Sequence, residues 1–482
     1  MSAMVTGANN AQQGRPVPFR ISGSVATGSI LQPLNSSMIA VAIVGIAAQF
    51  GSSSGIPWVI SGLYIATAVT APMAGRLGAL LGARRVYLGG LALVTVGSIA
   101  GILAPTVGWL IFSRVLVGIG TATQYPNAMT MIRDYAERHG AQPRTAITTL
   151  NICSQAVVAL GPALGGLLVG AFGWHSIMWV NLPIAAFAAV VVTRFAGAGL
   201  IGGTPVSRRQ LLHSLDVVGG LLLLVLISST MLFLLSLTTG PVWWLLPVWA
   251  LAFAAFVQWE RRADEPFIDV RALARNRALS ATLARTLLTY TAFYCVYFGI
   301  PQWLQYSRGM SATQAGLTML PVAAVGVGTT ILASRTYVRH GARRTLTVGT
   351  CALLVGGVLL ALVESSTAPI LVLLLVAGVL GIPNGFNNIG NQNLVSSVTS
   401  VEEVGTAIGM YRTAQYIGAN LAAVVLATTS GDVIGDAGLH RTGWFIAVAG
   451  TILLVGVLTS RNMGDRRRAR TRPFEERPGL SA

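Results

Sequence analysis

Apolar runs of about twenty residues recur along the chain, separated by short polar or glycine-rich breaks. A helix needs roughly 20 apolar residues to cross the hydrocarbon core of a bilayer, and that ruler predicts spans near 27–50, 57–76, 86–104, 108–132, 146–171 and 174–193. Two more follow at 217–238 and 241–258, then six at 279–303, 314–333, 345–364, 368–393, 404–428 and 442–460. The pattern reads as fourteen transmembrane helices grouped six, two and six.

The breaks test this count independently, because loops on the cytoplasmic side collect basic residues. With the N-terminus inside, alternate loops carry Arg84 and Arg85; Arg133, Arg138 and Arg144; Arg208 and Arg209; Arg261, Arg262, Arg271 and Arg275; and Arg335, Arg339, Arg343 and Arg344. The opposite loops hold only Arg308 and Arg441. An error of one span would scramble this alternation, so an even number of spans with both termini in the cytoplasm is expected. Trp58, Trp109, Trp174, Trp243, Trp244 and Trp303 fall near span ends, as interfacial anchors do.

The two six-span blocks also look like copies. Gly82-Ala83-Arg84-Arg85 returns as Gly341-Ala342-Arg343-Arg344 at an offset of 259, and Gly161-Pro162-Ala163-Leu164 aligns with Gly418-Ala419-Asn420-Leu421 at an offset of 257. This predicts two pseudo-symmetric halves, 27–194 and 279–460, between a cytoplasmic tail at 1–26 and a basic tail at 461–482. The segment 195–278 is then a linker with two extra helices.

Composition sharpens the class. With 53% hydrophobic residues, 10% charged and a mean hydropathy of +0.68, the chain reads as an all-α polytopic membrane protein. All 32 basic positions are arginine, which fits GC-rich coding and a bacterial source, so the inner (plasma) membrane is the expected location. A net charge of +17 invites nucleic acid as a partner, but the arginines sit in short loops, which is topology rather than recognition. The tail RNMGDRRRARTRP at 461–473 reads as an anchor on anionic lipid for the same reason. Cys153, Cys295 and Cys351 are scattered through apolar segments, so neither a disulfide framework nor a metal site is expected. No secretory signal opens the chain. GSSSG at 51–55 matches the pattern of a serine nucleophile elbow, yet it lies in a turn with no strand before it. No catalytic residue, enzyme activity or cofactor is expected.

Three stretches carry finer information. GRLGALLGARR at 75–85 puts glycines at both ends of a basic loop, allowing a tight turn and close helix approach. LIFSRVLVGIGTA at 110–122 places Arg114 about six residues inside a span, where a charge costs roughly 2.5–3.5 kcal/mol on insertion scales and must face a cavity or a partner. ALGPALGGLLVGAFGW at 159–174 combines Gly161, Gly165 and Gly166 with a mid-helix Pro162, the makings of a kinked helix that a neighbour can approach.

Together these resemble the major facilitator superfamily, and the six, two and six layout resembles its fourteen-span drug:proton antiporter family. Gly75, Gly82, Arg84 and Arg85 match the superfamily's loop between spans two and three; Arg114, Gly118, Gly120 and Ala122 match the fourth-span motif; and Gly161, Pro162, Gly165 and Gly166 match the fifth-span motif of antiporters. NLPIA at 181–185, EPFIDVRALARNRAL at 265–279 and SATQAGLTMLP at 311–321 extend the resemblance over nearly the whole chain. It implies a secondary active multidrug efflux transporter working by alternating access on a small-molecule substrate, monomeric among membrane lipids. Gly75, Gly82, Arg84, Arg85 and Gly118 would shape the inner gate, and the glycine-proline run would flex.

The chain departs from the family's pattern where protons matter. Ala79 stands where the loop motif has Asp, Asn35 where the first-span motif has Asp, and Val157 where the fifth-span motif starts with Gly. Coupling to protons needs a titratable group inside the membrane, yet of the 15 acids only Glu364 is near a span, at its outer end. The interior offers amides and cations instead. Asn35, Arg114, Gln124, Asn127, Gln155, Asn388, Asn391, Gln392, Arg412 and Gln415 are the candidate lining of a substrate and coupling cavity. GIPNGFNNIGNQN at 381–393 packs six Asn or Gln into ten positions, which predicts a wetted surface. Such a cavity suits neutral or anionic amphiphiles better than lipophilic cations. A transporter-like receptor or lipid-handling protein that binds without cycling is the second reading.

Overall fold

In the computed structural model residues 15–51, 55–195, 216–237, 240–263, 266, 268–399, 404–430 and 434–460 are described. The basic tail and the Arg208–Arg209 pair therefore lie outside the described residues. Among those described the chain is helical, with one isolated bridge between Pro16 and Gln142 and no strand.

The first helix begins earlier than hydropathy predicts. α1 (Phe19–Ser29) runs into α2 (Leu31–Phe50), so the expected tail at 1–26 is already helical from Phe19. Val17, Ile21 and Val25 recur every four residues and are buried, a stripe too sparse to register in a twenty-residue hydropathy window. α3 (Ile56–Leu81) and α4 (Ala83–Ile102) follow; the expected fourth span is two helices, α5 (Val107–Ala122) and α6 (Gln124–His139), meeting at Thr123. α7 (Arg144–Phe172), α8 (Ser176–Trp179) and α9 (Asn181–Phe195) complete the first block.

α10 (Val217–Ser236) and α11 (Leu245–Glu260) form a hairpin, and α12 (Val270–Arg275) leads into α13 (Arg277–Arg308). α14 (Ala312–Thr318), α15 (Leu320–Leu362), α16 (Ile370–Ser397), α17 (Val404–Ser430) and α18 (Asp436–Thr459) make the second block. Nine helical stretches among the described residues are long and apolar enough to cross a membrane. One of them, Ala312–Leu362, has 51 residues, and Gly341 breaks it with φ 79. Helices α5, α6 and α11 have 16 residues each, while α13 and α17 are long but carry Arg285 and Arg412.

Within the first block α2 packs on α7 and both α3 and α4 on α5; within the second α13 packs on α17 and α15 on α16 and α18. Across the seam α3 meets α17, α2 meets α13, and α7 meets α14 and α15, while the hairpin leans on α3 and α17. The repeated GARR stretches share one geometry. Gly82 and Gly341 both take positive φ, 93 and 79, where a side chain would be strained. Arg84 then donates to the Thr193 carbonyl at 2.8 Å near the end of α9, and Arg343 to the Leu458 carbonyl near the end of α18. Each guanidinium satisfies a carbonyl left open at a helix C-terminus.

Candidate functional site

Arg114 is fully buried on α5, a helix started by Thr106, whose hydroxyl accepts from the Trp109 N–H at 3.2 Å. Its Nε donates to the Val59 carbonyl at 3.2 Å, its Nη2 to the Asn35 carbonyl at 3.2 Å and its Nη1 to Asn35 Oδ1 at 3.5 Å. Every one of these partners is neutral. Asn35 is held in turn by a reciprocal amide pair with Asn181, at 2.7 and 3.0 Å, and Asn181 also donates to Ser98 Oγ at 2.9 Å. The network ties α2, α3, α4, α5 and α9 together around one cation, whose charge is balanced by carbonyl dipoles alone.

A second cation lies in the other block. Arg285 on α13, 9% exposed, donates to Asn391 Oδ1 at 2.7 Å and to Thr282 Oγ1 at 3.2 Å. The arrangement mirrors the first with the roles exchanged. In the first block the cation is on the fourth expected span and the amide on the first; here the cation is on the first span of its block and the amide on the fourth.

Arg412 on α17 forms the third centre, its guanidinium carbon 3.9 Å from the ring centroid of Tyr125 on α6. Tyr125 is fixed by donating to Asn151 Oδ1 at 2.9 Å. Gln415 lies one turn along the same helix, beside Tyr411, whose hydroxyl donates to Asn388 Oδ1 at 3.0 Å. These contacts bring Arg412, Gln415 and Asn388 into one region.

The remaining candidates lie elsewhere. Gln124 and Asn127 are fully buried against α3 and α4, where Gln124 donates to the carbonyls of Tyr87 and Gly120 and Asn127 to those of Ala74 and Thr123. The nitrogen of each amide is thus used within its own block, while Gln124 Oε1 and Asn127 Oδ1 are buried without a partner among the described residues. Gln155 is exposed on α7 and Gln392 half-buried on α16. Arg85 is exposed, and Gly75 is in ordinary contact with Pro126.

The glycine-proline run of α7 touches both blocks. A methyl group on Gly165 would sit 2.9 Å from Met38 Cα, and one on Gly166 would sit 3.1 Å from Gly316 Cα of α14, so both contacts require the missing side chain. Gly118 packs equally closely on Leu63. Pro162 has no N–H to give the Val158 carbonyl one turn earlier, and the Tyr297 hydroxyl of α13 donates to that carbonyl. Thr313 donates to the Gly166 carbonyl at 2.9 Å and Gln305 to the Val41 carbonyl at 3.2 Å. At the arginine-poor ends, then, the two blocks are joined through backbone.

One side-chain cluster has no counterpart among the residues expected from sequence. Tyr290, Phe293, Tyr294, Tyr297 and Phe298 recur on α13 at the spacing of one helix face and touch one another, Phe293 stacked with Tyr297 and Tyr294 with Phe298, the other pairs edge-on or tilted. Across the seam Tyr64 of α3 meets Tyr294 at 5.4 Å, Phe298 at 6.2 Å and Tyr416 at 6.3 Å. A narrow cleft lies beside Tyr290 and Phe293, with Asn384 and Asn388 on its other wall. The signal was visible as five aromatics within nine residues, but it reads as core packing until the partner helix is known.

Comparison with known proteins agrees with this geometry. The sequence pattern of the Major Facilitator Superfamily matches residues 25–423. The MFS-type transporter YwoD of Bacillus subtilis is 32% identical over 434 residues, covering 89% of this chain and 93% of the relative. The Tetracenomycin C resistance and export protein of Streptomyces glaucescens is 30% identical over 480 residues, covering 94% and 86%. Among solved structures, a POT family transporter in complex with 5-aminolevulinic acid superposes with a TM-score of 0.66 over 93% of this chain and 97% of that one, at 14% identity, a likeness of fold. The match over most of the chain, the relatives and the shared helical architecture make this protein a member of the major facilitator superfamily.

Proposed function

We propose that the chain is a fourteen-span exporter of small neutral or anionic amphiphiles, working by alternating access between halves at 27–194 and 279–460, with the segment 195–278 as linker and extra hairpin. The Streptomyces relative, named for resistance and export, supports the direction of transport. The arginine-rich loops support cytoplasmic termini in a bacterial inner membrane. In that orientation the backbone contacts between α7 and α14 close the outer face. The observation that carries the substrate class is Arg114, a fully buried cation whose partners are all neutral. An interior of this kind repels lipophilic cations and admits neutral molecules or anions. It also gives the protons of a drug:proton antiporter no carboxylate at Asn35, so coupling runs through Glu364, through a titratable substrate, or through the substrate gradient alone.

The test is transport in proteoliposomes. Counterflow of a fluorescent amphiphile is expected, and an imposed pH gradient should drive little uptake of a permanently neutral one. Strong pH-driven uptake of the neutral substrate that survives Glu364→Gln would overturn the coupling argument. Binding without counterflow would overturn transport itself.

A further inference from the structure

Arg412 and Tyr125 form a clasp between the two blocks. The guanidinium is on α17, the ring on α6, and their separation of 3.9 Å is that of a cation held over an aromatic face. The ring is pre-set by the bond from its hydroxyl to Asn151 Oδ1. Tyr416, Tyr290 and Tyr411 are the other ionisable groups near enough to act on the guanidinium, and among the described residues no carboxylate pairs with it. A planar cation with five donors is thus faced by π-systems and hydroxyls, in an aromatic wall that continues through Tyr411 and Tyr290, 6.4 Å apart and edge-on.

An aromatic face is a weak counter-charge. Hydrogen bonds to an ionised acceptor are roughly twice as strong as neutral ones, and guanidinium binds planar oxyacids through two parallel bonds. Building on the transport reading above, we infer that Arg412 is the anchor for the acidic group of a planar aromatic substrate, which takes the guanidinium from Tyr125 and stacks its ring on the tyrosines around it. The cleft bounded by Tyr290, Phe293, Asn384 and Asn388 supplies apolar walls and amide edges within reach of Tyr290, a group common to both sites. Because the clasp joins α6 to α17, the same exchange that binds the substrate releases one tie between the blocks. Recognition and movement then share one residue pair.

The probes are 8-anilinonaphthalene-1-sulfonate and N-phenyl-1-naphthylamine, which share a ring framework and differ by the sulfonate. Calorimetric titration of the full chain in nanodiscs, with empty nanodiscs subtracted, should give the sulfonate at least about tenfold tighter binding than the amine. Arg412→Gln should abolish that preference. Should that variant fail to fold, Arg412→Lys, which keeps the charge but loses the planar fork, should lose most of the preference. Tyr125→Leu should tighten sulfonate binding severalfold, because the competing ring is gone; a merely structural Tyr125 would weaken both probes. Equal affinities in the unaltered protein, or a preference that persists in Arg412→Gln, overturns the anchor. Counterflow keeps the two readings apart: discrimination in binding without exchange defeats transport and leaves the anchor, whereas exchange without discrimination defeats the anchor and leaves transport.

Discussion

Asn35 and Arg114 show how one atom can set the chemistry of a site. Asn35 Oδ1 already lies 3.5 Å from Arg114 Nη1, so replacing the amide by a carboxylate would place an opposite charge beside the cation, at the loss of the bonds Asn35 Nδ2 gives to the Leu31 carbonyl and Asn181 Oδ1. Asn35→Asp is expected to confer or strengthen proton dependence, read as a severalfold rise in uptake driven by a pH gradient. If uptake is unchanged, Asn35 is helix glue and coupling lies elsewhere. Glu364 gives a second residue-scale test. It is 2% exposed just beyond the end of α15, His440 Nε2 lies 2.7 Å from the Glu364 backbone carbonyl, and Arg308 is the cation that acts on its carboxyl. Burial pushes its carboxyl up from the ordinary 4.5 to about 8. The folded chain therefore binds more protons than the unfolded chain across that window, and stability falls as pH rises through it. Melting temperatures from pH 5 to 8.5 should decline, and the decline attributable to this group should vanish in Glu364→Gln.

At the scale of elements, α7 and α13 form the working contact. Tyr297→Phe removes the donor that satisfies the Val158 carbonyl, and a neutral hydrogen bond contributes about 0.5–1.5 kcal/mol. The variant should shift the balance away from the closed outer face by roughly 2- to 12-fold, seen as faster labelling of a cysteine introduced beneath it. Gly166→Leu should go further and prevent closure, since even a methyl at that position meets the backbone of α14. Transport should be lost while the melting temperature of the remaining fold changes little. The first effect traces to Pro162, whose missing N–H leaves the Val158 carbonyl that Tyr297 takes. That consequence could not be read from the sequence, because it depends on which helix lies opposite.

For the whole molecule, the legible part was what depends on bulk properties. Apolar run length predicted an all-helical chain, and the two GARR stretches foretold a likeness that Gly82 and Gly341 display in their positive φ. What stayed hidden depends on partners. The stripe of Val17, Ile21 and Val25 is too thin for a hydropathy window; the carbonyls to which Gln124 and Asn127 donate on neighbouring helices have no local signature; and the aromatic face of α13 resembles ordinary core. Asn181 belonged to a motif already noted, NLPIA, yet its bond to Asn35 links residues 146 apart and has no local signature.

The join between α7 and α14 is made by Gly166, Gly316 and the Thr313 hydroxyl on the Gly166 carbonyl, and among the described residues these contacts involve no charged side chain. Such a seam leaves ions nothing to exchange with and water little room to thread. The closed protein should therefore be an electrical insulator, carrying no standing current at rest, and should hold that property at any salt concentration. Planar-bilayer recordings with the unaltered chain should stay at the bare-membrane baseline from low to high salt, whereas Gly166→Leu, by wedging the join apart, should add a leak.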